Sequence, residues 1–240
     1  MSGHSHWATI KRGKEAEDKK RGKIFSKLSR VVSIAAKDGG DPDTNPKLRM
    51  AIEQAKQFNM PKDNIERAVK KGTGELVGEK LEEIVFEAYG PGKVAIIIEG
   101  ITDNKNRALG EIKQILSQKG GKLADEGSVK WHFERKGAIT VNREQKTVNS
   151  EELELLAIEA GAEDILEHND FLEIYTAPED LEKVKKNLGE KNIEIESASL
   201  GWKPKEVIEV EEKAKINCQK LFELLDENDA VQDIYSNLKL

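Results

Sequence analysis

The hydrophobic period of this chain changes once, at KKGTGELVGEK, and that change limits the fold more than any other feature. Before it, apolar residues recur every three or four positions. After it, short alternating or continuous apolar runs are interleaved with helical stretches. Three glycines within seven residues suit neither helix nor strand, so residues 72–80 read as a linker. A helical module must precede it and a mixed module must follow.

The helical module resolves into three segments. From Ile24, the residues Ile24, Leu28, Val31, Val32 and Ala35 share one helix face, while Lys23, Lys27, Arg30 and Lys37 gather on another. After the turn DGGDPDTNP, Asn45 can cap a helix and Pro46 can fill its first position. Leu48, Ala51, Ile52 and Ala55 then make a buried face, with Arg49 and Lys56 outside it. A third helix starts near Pro61, buries Ile65, Ala68 and Val69, and stops with Gly72 as its C′ residue. Three short helices with short connections predict a small bundle.

Beyond the linker, residues 82–89 alternate, PGK turns the chain, and Val94–Ile98 is a continuous apolar run suited to a central strand. Asp103 or Asn104 can cap a helix through Leu116, which KGGK ends. VKWHF and AITV then read as strands flanking ERKG. A helix at 150–160, the strand FLEIYT, a helix from Pro178 and the strand IEIESA follow. The final segment supplies a strand at VIEV, a helix over 211–226 and a strand at AVQDIYS. Joined to residues 78–128, it repeats the element order of the middle unit. The expected fold is therefore α+β: an N-terminal helical bundle followed by two split, ββαβαβ-like domains, one inserted into the other. The expected boundaries are 1–77, then 78–128 together with 204–240, with 129–203 inserted between joints near Gly127 and Pro204.

Net charge is −6, but it is unevenly spread. Residues 1–75 hold 17 Lys/Arg against 10 Asp/Glu, a balance of +7, which leaves 22 against 35 in the remainder, a balance of −13. Such asymmetry points to a polyanion-binding module joined to an acidic body, the alternative being a polarised solvated surface.

Catalytic signatures are missing. No CxxC, HExxH or GxSxG occurs, and the spacing of GTGELVGEK does not fit a phosphate-binding P-loop. Cys218 falls in a helical stretch with no histidine beside it, and a single cysteine favours a reducing compartment. No apolar run approaches the roughly 20 residues of a bilayer span, and the basic N-terminus has no signal-peptide core. A cytoplasmic protein without enzymatic activity, cofactor, metal or membrane partner is expected, with a monomer favoured.

The opening stretch GHSHWATIKRGK poses a choice between metal and nucleic acid. His4 and His6 make only a fragment of a metal site. Trp7 beside Lys11, Arg12 and Lys14 combines a stacking face with phosphate-neutralising charge, which suits irregular or single-stranded nucleic acid. Residues 2–20 bury too little to order themselves without a partner, so a loosely tethered arm is expected. The candidate contact set is His6, Trp7, Lys11, Arg12, Lys14, Lys20, Arg21, Lys23, Lys27, Arg30, Arg49 and Lys62.

GHSHWATIKRGKEAEDKKRGKIFSKL, DPDTNPKLRMAI and NMPKDNIERAVKKGTGE resemble the YebC family. The likeness continues through YGPGKVAIIIEGITDNKNR, GSVKWHFERKGAI and GAED to VQDIYSNL, covering nearly the whole chain. One departure is that His6 stands where the family usually has lysine, making the arm less cationic at neutral pH. The resemblance implies a three-domain cytoplasmic protein that acts on gene expression. The family includes probable transcriptional regulators described as binding promoter DNA. It also includes translation factors described as acting on the ribosome to ease proline-rich stretches. A DNA reader needs Arg, Asn or Gln at base edges, and the bundle offers Arg30, Arg49 and Arg67 among mostly lysines. A ribosome-associated factor needs only shape and backbone contacts, with a loop able to enter a crevice. Asn59, Met60, Pro61 and Lys62 are the candidate entering loop, unless Met60 and Pro61 merely start a helix. The physical lean is to ribosomal RNA, with promoter DNA as the alternative. A protein-interaction adaptor using the acidic domains is the third possibility.

Overall fold

A computed structural model of the chain describes residues 18–78, 80–143, 150–168 and 171–239. Among the described residues, three helices lie before the linker: α1 (Asp18–Ala35), α2 (Pro46–Gln57) and α3 (Lys62–Gly72). Their apolar faces meet as the spacing predicts, with Leu28, Val32, Leu48, Ala51, Ala55, Ile65 and Ala68 buried in one core. Asn45 holds the first turn of this bundle together. Its Oδ1 accepts from the Leu48 N–H at 3.1 Å and so caps α2. Its Nδ2 donates to the carbonyls of Ala35 at 2.7 Å and Gly39 at 2.8 Å, satisfying the end of α1.

Gly72 is the last residue of α3 rather than a residue beyond it. It is glycine for closeness: a Cβ there would come within 2.2 Å of the Ser33 carbonyl oxygen on α1. Ser33 Oγ donates to the Ala68 carbonyl at 2.8 Å, across the same close approach. The left-handed residue that releases the chain is Gly74, with φ 83°.

After the linker come β1 (Glu82–Tyr89), β2 (Ala95–Thr102), α4 (Lys105–Gln118) and β3 (Lys122–Leu123). The chain then builds a second sheet from β4 (Phe133–Asn142), α5 (Ser150–Ala160), β5 (Asp164–Glu167), β6 (Phe171–Thr176), α6 (Leu181–Glu190) and β7 (Ile195–Pro204). It returns with α7 (Glu212–Asp226) and β8 (Val231–Ser236). Both sheets are antiparallel, of order β3-β1-β2-β8 and β5-β6-β4-β7. The strand that closes the first sheet therefore comes from the far end of the chain, paired to β2 from Ile96↔Ser236 onward. Asn104 caps α4, accepting from the Arg107 N–H at 3.0 Å.

The apolar run in β2 is explained by burial on both faces. Ile96 and Ile98 meet Ile112, Leu116, Leu221 and Leu225 of α4 and α7. Ala95 and Ile97 face the other way, onto Val129, Phe133 and Tyr235. In the second sheet, Ile139, Val141, Leu172 and Ile174 pack under Leu153, Ala157, Val184 and Leu188 of α5 and α6. The sheets are tied at Glu99 on β2, whose Oε1 accepts from Arg135 Nη1 at 2.7 Å and Trp202 Nε1 at 2.8 Å.

Two local expectations need correction. VKWHF and AITV do not flank a turn: Lys130–His132 is a 3-10 turn, and FERKGAITVN is one continuous strand. Gly137 pairs in register with Thr176 and Leu200, and it lacks a side chain because Thr176 Oγ1 and Leu181 occupy that space. The second sheet therefore runs β-α-β-β-α-β, with the short β5 as an extra strand. VIEV is not a strand within a sheet. Ile208 instead makes a single parallel bridge to Leu238, through bonds of 2.7 Å to the Asn237 carbonyl and 2.9 Å from the Lys239 N–H. The tethered-arm expectation falls mostly on residues 1–17, outside the described residues, while Asp18, Lys19 and Lys20 already belong to α1.

Candidate nucleic-acid interface

The basic stripe of α1 forms as its spacing predicts, but it faces protein. Lys27 is only 3 % exposed, with Nζ 2.9 Å from Asp226 Oδ1 and 2.8 Å from the Asp226 carbonyl oxygen. Lys23 donates to the Glu227 carbonyl, and Arg30 Nη1 donates to the carbonyls of Asp229 at 2.6 Å and Ile101 at 3.3 Å. Lys37 donates to the carbonyl of Leu81. The carbonyls of Asp226, Glu227 and Asp229 lie at or just beyond the end of α7, where a helix leaves unsatisfied oxygens and partial negative charge. Three cations of α1 thus cap α7 from outside. Burial lowers the pKa of Lys27, and Asp226 works against that shift. In this arrangement Lys27 cannot reach a phosphate, and Lys23 and Arg30 are already engaged.

The other candidates divide. His6, Trp7, Lys11, Arg12 and Lys14 lie outside the described residues, as does the side chain of Lys20. Arg21 is exposed at the start of α1. Arg49 is half-buried, its Nη1 3.4 Å from the Pro42 carbonyl. Lys62 is exposed at the start of α3, with Nζ 3.6 Å from Glu66. In the proposed entering loop, Met60 is buried in the bundle core and cannot lead an insertion. Asn59 takes a left-handed φ of 57°, and Pro61 is exposed just before α3. The loop is thus a turn anchored by its own methionine.

What the bundle does present is the outer side of α3. Arg67, Lys70 and Lys71 are exposed there, with Lys56 exposed near the end of α2. Among the described residues none of these four forms an ion pair. Lys70 and Lys71 were missed as site residues because a lysine pair in a last turn also suits the helix dipole. Only their exposure together with Arg67 marks them as a surface. α2 has another duty: Met50 packs on the second sheet's core, and Glu53 Oε2 sits 2.5 Å from Lys185 Nζ.

Beside Arg30 lies a cleft of about 370 Å³, lined by Thr102, Arg107, Glu111, Asn228 and Asp229 among others. Arg107 there is paired with Asp103 at 2.5 Å, and its Nε is 4.0 Å from Glu111. With carboxylates matching its cations, this cleft offers no net attraction to phosphate. Cys218 is fully buried, and burial pushes its thiol up to about 11, so it has no thiolate to offer at neutral pH. Among the described residues no helix is long and apolar enough to cross a membrane.

The same architecture is found elsewhere. A crystal structure of a conserved hypothetical protein from Aquifex aeolicus superposes with a TM-score of 0.90 at 46% identity, covering 98% of this chain and 97% of that one. A probable transcriptional regulatory protein of Halothermothrix orenii is 48% identical over 100% of this chain and 96% of its own length. One from Fervidobacterium nodosum is 51% identical over 100% of this chain and 94% of its own. Residues 5–75, which include the bundle, match the model of the TACO1/YebC protein N-terminal domain, and residues 81–238 match that of the TACO1/YebC second and third domain. With both halves of the chain matched in order on either side of the glycine linker, the protein belongs to the TACO1/YebC family.

Proposed function

We propose that this chain is a non-enzymatic, nucleic-acid-binding regulator of gene expression that recognises folded RNA, ribosomal RNA in particular, through its N-terminal module. The observation that carries the reading is the exposed cationic surface of Lys56, Arg67, Lys70 and Lys71, without ion pairs among the described residues, on a bundle whose α1 stripe is committed to α7. Two of the three arginines that could read base edges, Arg30 and Arg49, are directed at protein carbonyls. The exposed remainder is mostly lysine, which contacts phosphate without reading sequence. Shape and backbone recognition follow, and these suit RNA better than an operator. Trp7, Lys11, Arg12 and Lys14 would extend the contact along the arm. In this reading the protein works in the cytoplasm as a monomer on the ribosome and needs no cofactor.

Promoter DNA is the second reading, favoured by the names of the relatives, which are probable transcriptional regulatory proteins. The two separate in one titration series. The full chain is titrated into a structured ribosomal RNA fragment and into promoter-length duplex DNA at several salt concentrations. The expected result is tighter binding to RNA, with an Arg67→Gln, Lys70→Gln, Lys71→Gln variant weaker and its slope of log K against log salt shallower by about 2. Tighter, sequence-dependent binding to duplex DNA would overturn the RNA reading in favour of the second.

A further inference from the structure

The loop between β3 and β4 is built around one exposed ring. Glu87, on β1, has a side chain only 2% exposed, yet its carboxylate points into this loop rather than at a cation alone. Its oxygens accept three backbone N–H groups: Gly127 at 2.6 Å, Val129 at 2.6 Å and Lys130 at 2.9 Å. Val129 is fully buried against Ile97, Phe133 and Tyr235. The Ser128 carbonyl takes two further donors, Tyr89 Oη at 3.0 Å and Trp131 Nε1 at 2.9 Å. The loop is pinned from Gly127 to Lys130, and the residue it displays is Trp131, 61% exposed.

The orientation of that indole is informative. Its single N–H is turned inward to Ser128, so what it offers to solvent is ring rather than donor. The His132 ring stacks on it with centroids 3.5 Å apart. The cations nearby are Lys130 and the exposed Lys205, whose backbone N–H donates to the His132 carbonyl at 2.9 Å. Asp125 and Glu126 share the loop with the buried carboxylate of Glu87, so the two lysines leave no cationic excess here. A fixed aromatic ring backed on one face by a second ring, with its donor occupied and no cationic excess around it, suits one ligand class best. That class is a flat, unpaired base, which gains stacking without needing a hydrogen bond. Because the ring is already held, little freedom is lost on binding.

We propose that Trp131, backed by His132 and held by Glu87, is a second nucleic-acid contact, stacking one unpaired base of a single-stranded segment. It rests on the reading of this chain as a nucleic-acid-binding protein, and it differs from the bundle surface in mechanism: stacking rather than charge neutralisation.

The test measures binding of the full chain to a single-stranded ten-nucleotide oligoadenylate and to a blunt RNA duplex of that length, across salt. Trp131→Ala should weaken single-strand binding about ten-fold or more, the range of one lost stacking contact. Its salt slope should stay unchanged, because no phosphate contact is lost. Trp131→Phe should stay within about three-fold of the wild type, since a ring is retained, and duplex binding should move in neither variant. An unchanged single-strand affinity in Trp131→Ala, while the Arg67/Lys70/Lys71 variant is weakened, overturns the platform and leaves the bundle reading standing. Loss of a protein partner in Trp131→Ala with oligonucleotide binding intact makes the ring a protein-docking residue and overturns the proposal. Failure of the wild type to bind any nucleic acid overturns both readings together.

Discussion

Lys27 Nζ lies 2.9 Å from Asp226 Oδ1 and 2.8 Å from the carbonyl oxygen of the same residue, joining α1 to the end of α7. The lysine is buried while the aspartate keeps a side chain 20% exposed. That asymmetry sets what each deletion does. Asp226→Ala takes the paired carboxylate away from a buried ammonium and should destabilise by about 3 kcal/mol. Lys27→Met removes the buried charge, keeps the volume and leaves an aspartate that water can reach, so the loss should be about 1 kcal/mol. Urea titration of both variants gives the order, and a larger loss for Lys27→Met would contradict it.

Asn45 gives a sharper case, because it accepts at α2 and donates to α1 at once. Aspartate is as good an N-cap as asparagine in general. Here it would turn an acceptor oxygen toward the carbonyls of Ala35 and Gly39, where only a donor fits. Asn45→Asp should therefore cost about 2 kcal/mol or more at neutral pH, and Asn45→Ser less. Thermal melts of the two variants decide it.

Glu87 predicts an acid response. Burial works to raise its carboxyl, but the N–H donors of Gly127, Lys130 and Val129 outweigh burial and hold it below the ordinary carboxylate value. A depressed folded-state pKa means that the stabilisation is complete above the unfolded value of about 4.5 and is lost as pH falls through the folded value. Glu87→Gln should abolish that part of the acid-induced loss. It should also make the amides of Gly127 and Val129 exchange faster at neutral pH. Hydrogen exchange on the two proteins, from pH 7 down to pH 3, is the measurement.

The return of the chain to β8 after β7 suggests that residues 129–203 form an inserted unit within a discontinuous domain of 78–128 and 204–240. As a proposal it makes a plain demand: the fragment 129–204, keeping the whole of β7, should fold alone and melt cooperatively. Its edge toward the first sheet loses Glu99 as a partner for Arg135 and Trp202, so its melting temperature should fall below that of the full chain. A fragment that stays unfolded by circular dichroism would reject the division.

The helices were legible because their apolar positions alone place them. Leu28, Val32, Leu48, Ala51, Ile65 and Ala68 are buried as their spacing requires, and Asn104 and Asn45 cap where a cap is called for. Misreadings came where one residue type serves two physical ends. ERKG looks like a turn because Gly137 is flexible, yet in β4 it is glycine because Thr176 and Leu181 fill its side-chain space. Gly72 looks like a helix stop, yet it is there so that α3 can approach Ser33. VKWHF looks like a strand, which hid the exposure of Trp131 in a 3-10 turn.

The change from helix to mixed sheet at the glycine linker, the buried faces of the bundle and the separation of charge along the chain all follow from residue order. These depend on spacing and composition, which local chemistry fixes. Which cations are available depends on long-range packing. Lys23, Lys27 and Arg30 share a helix face with the periodicity of a solvated stripe, but the end of α7, about 200 residues away, supplies carbonyls that claim them. Arg67, Lys70 and Lys71 carry the same charge on a face that nothing among the described residues claims. Periodicity can place a charge on a face, but what that face meets depends on packing between segments far apart in the chain.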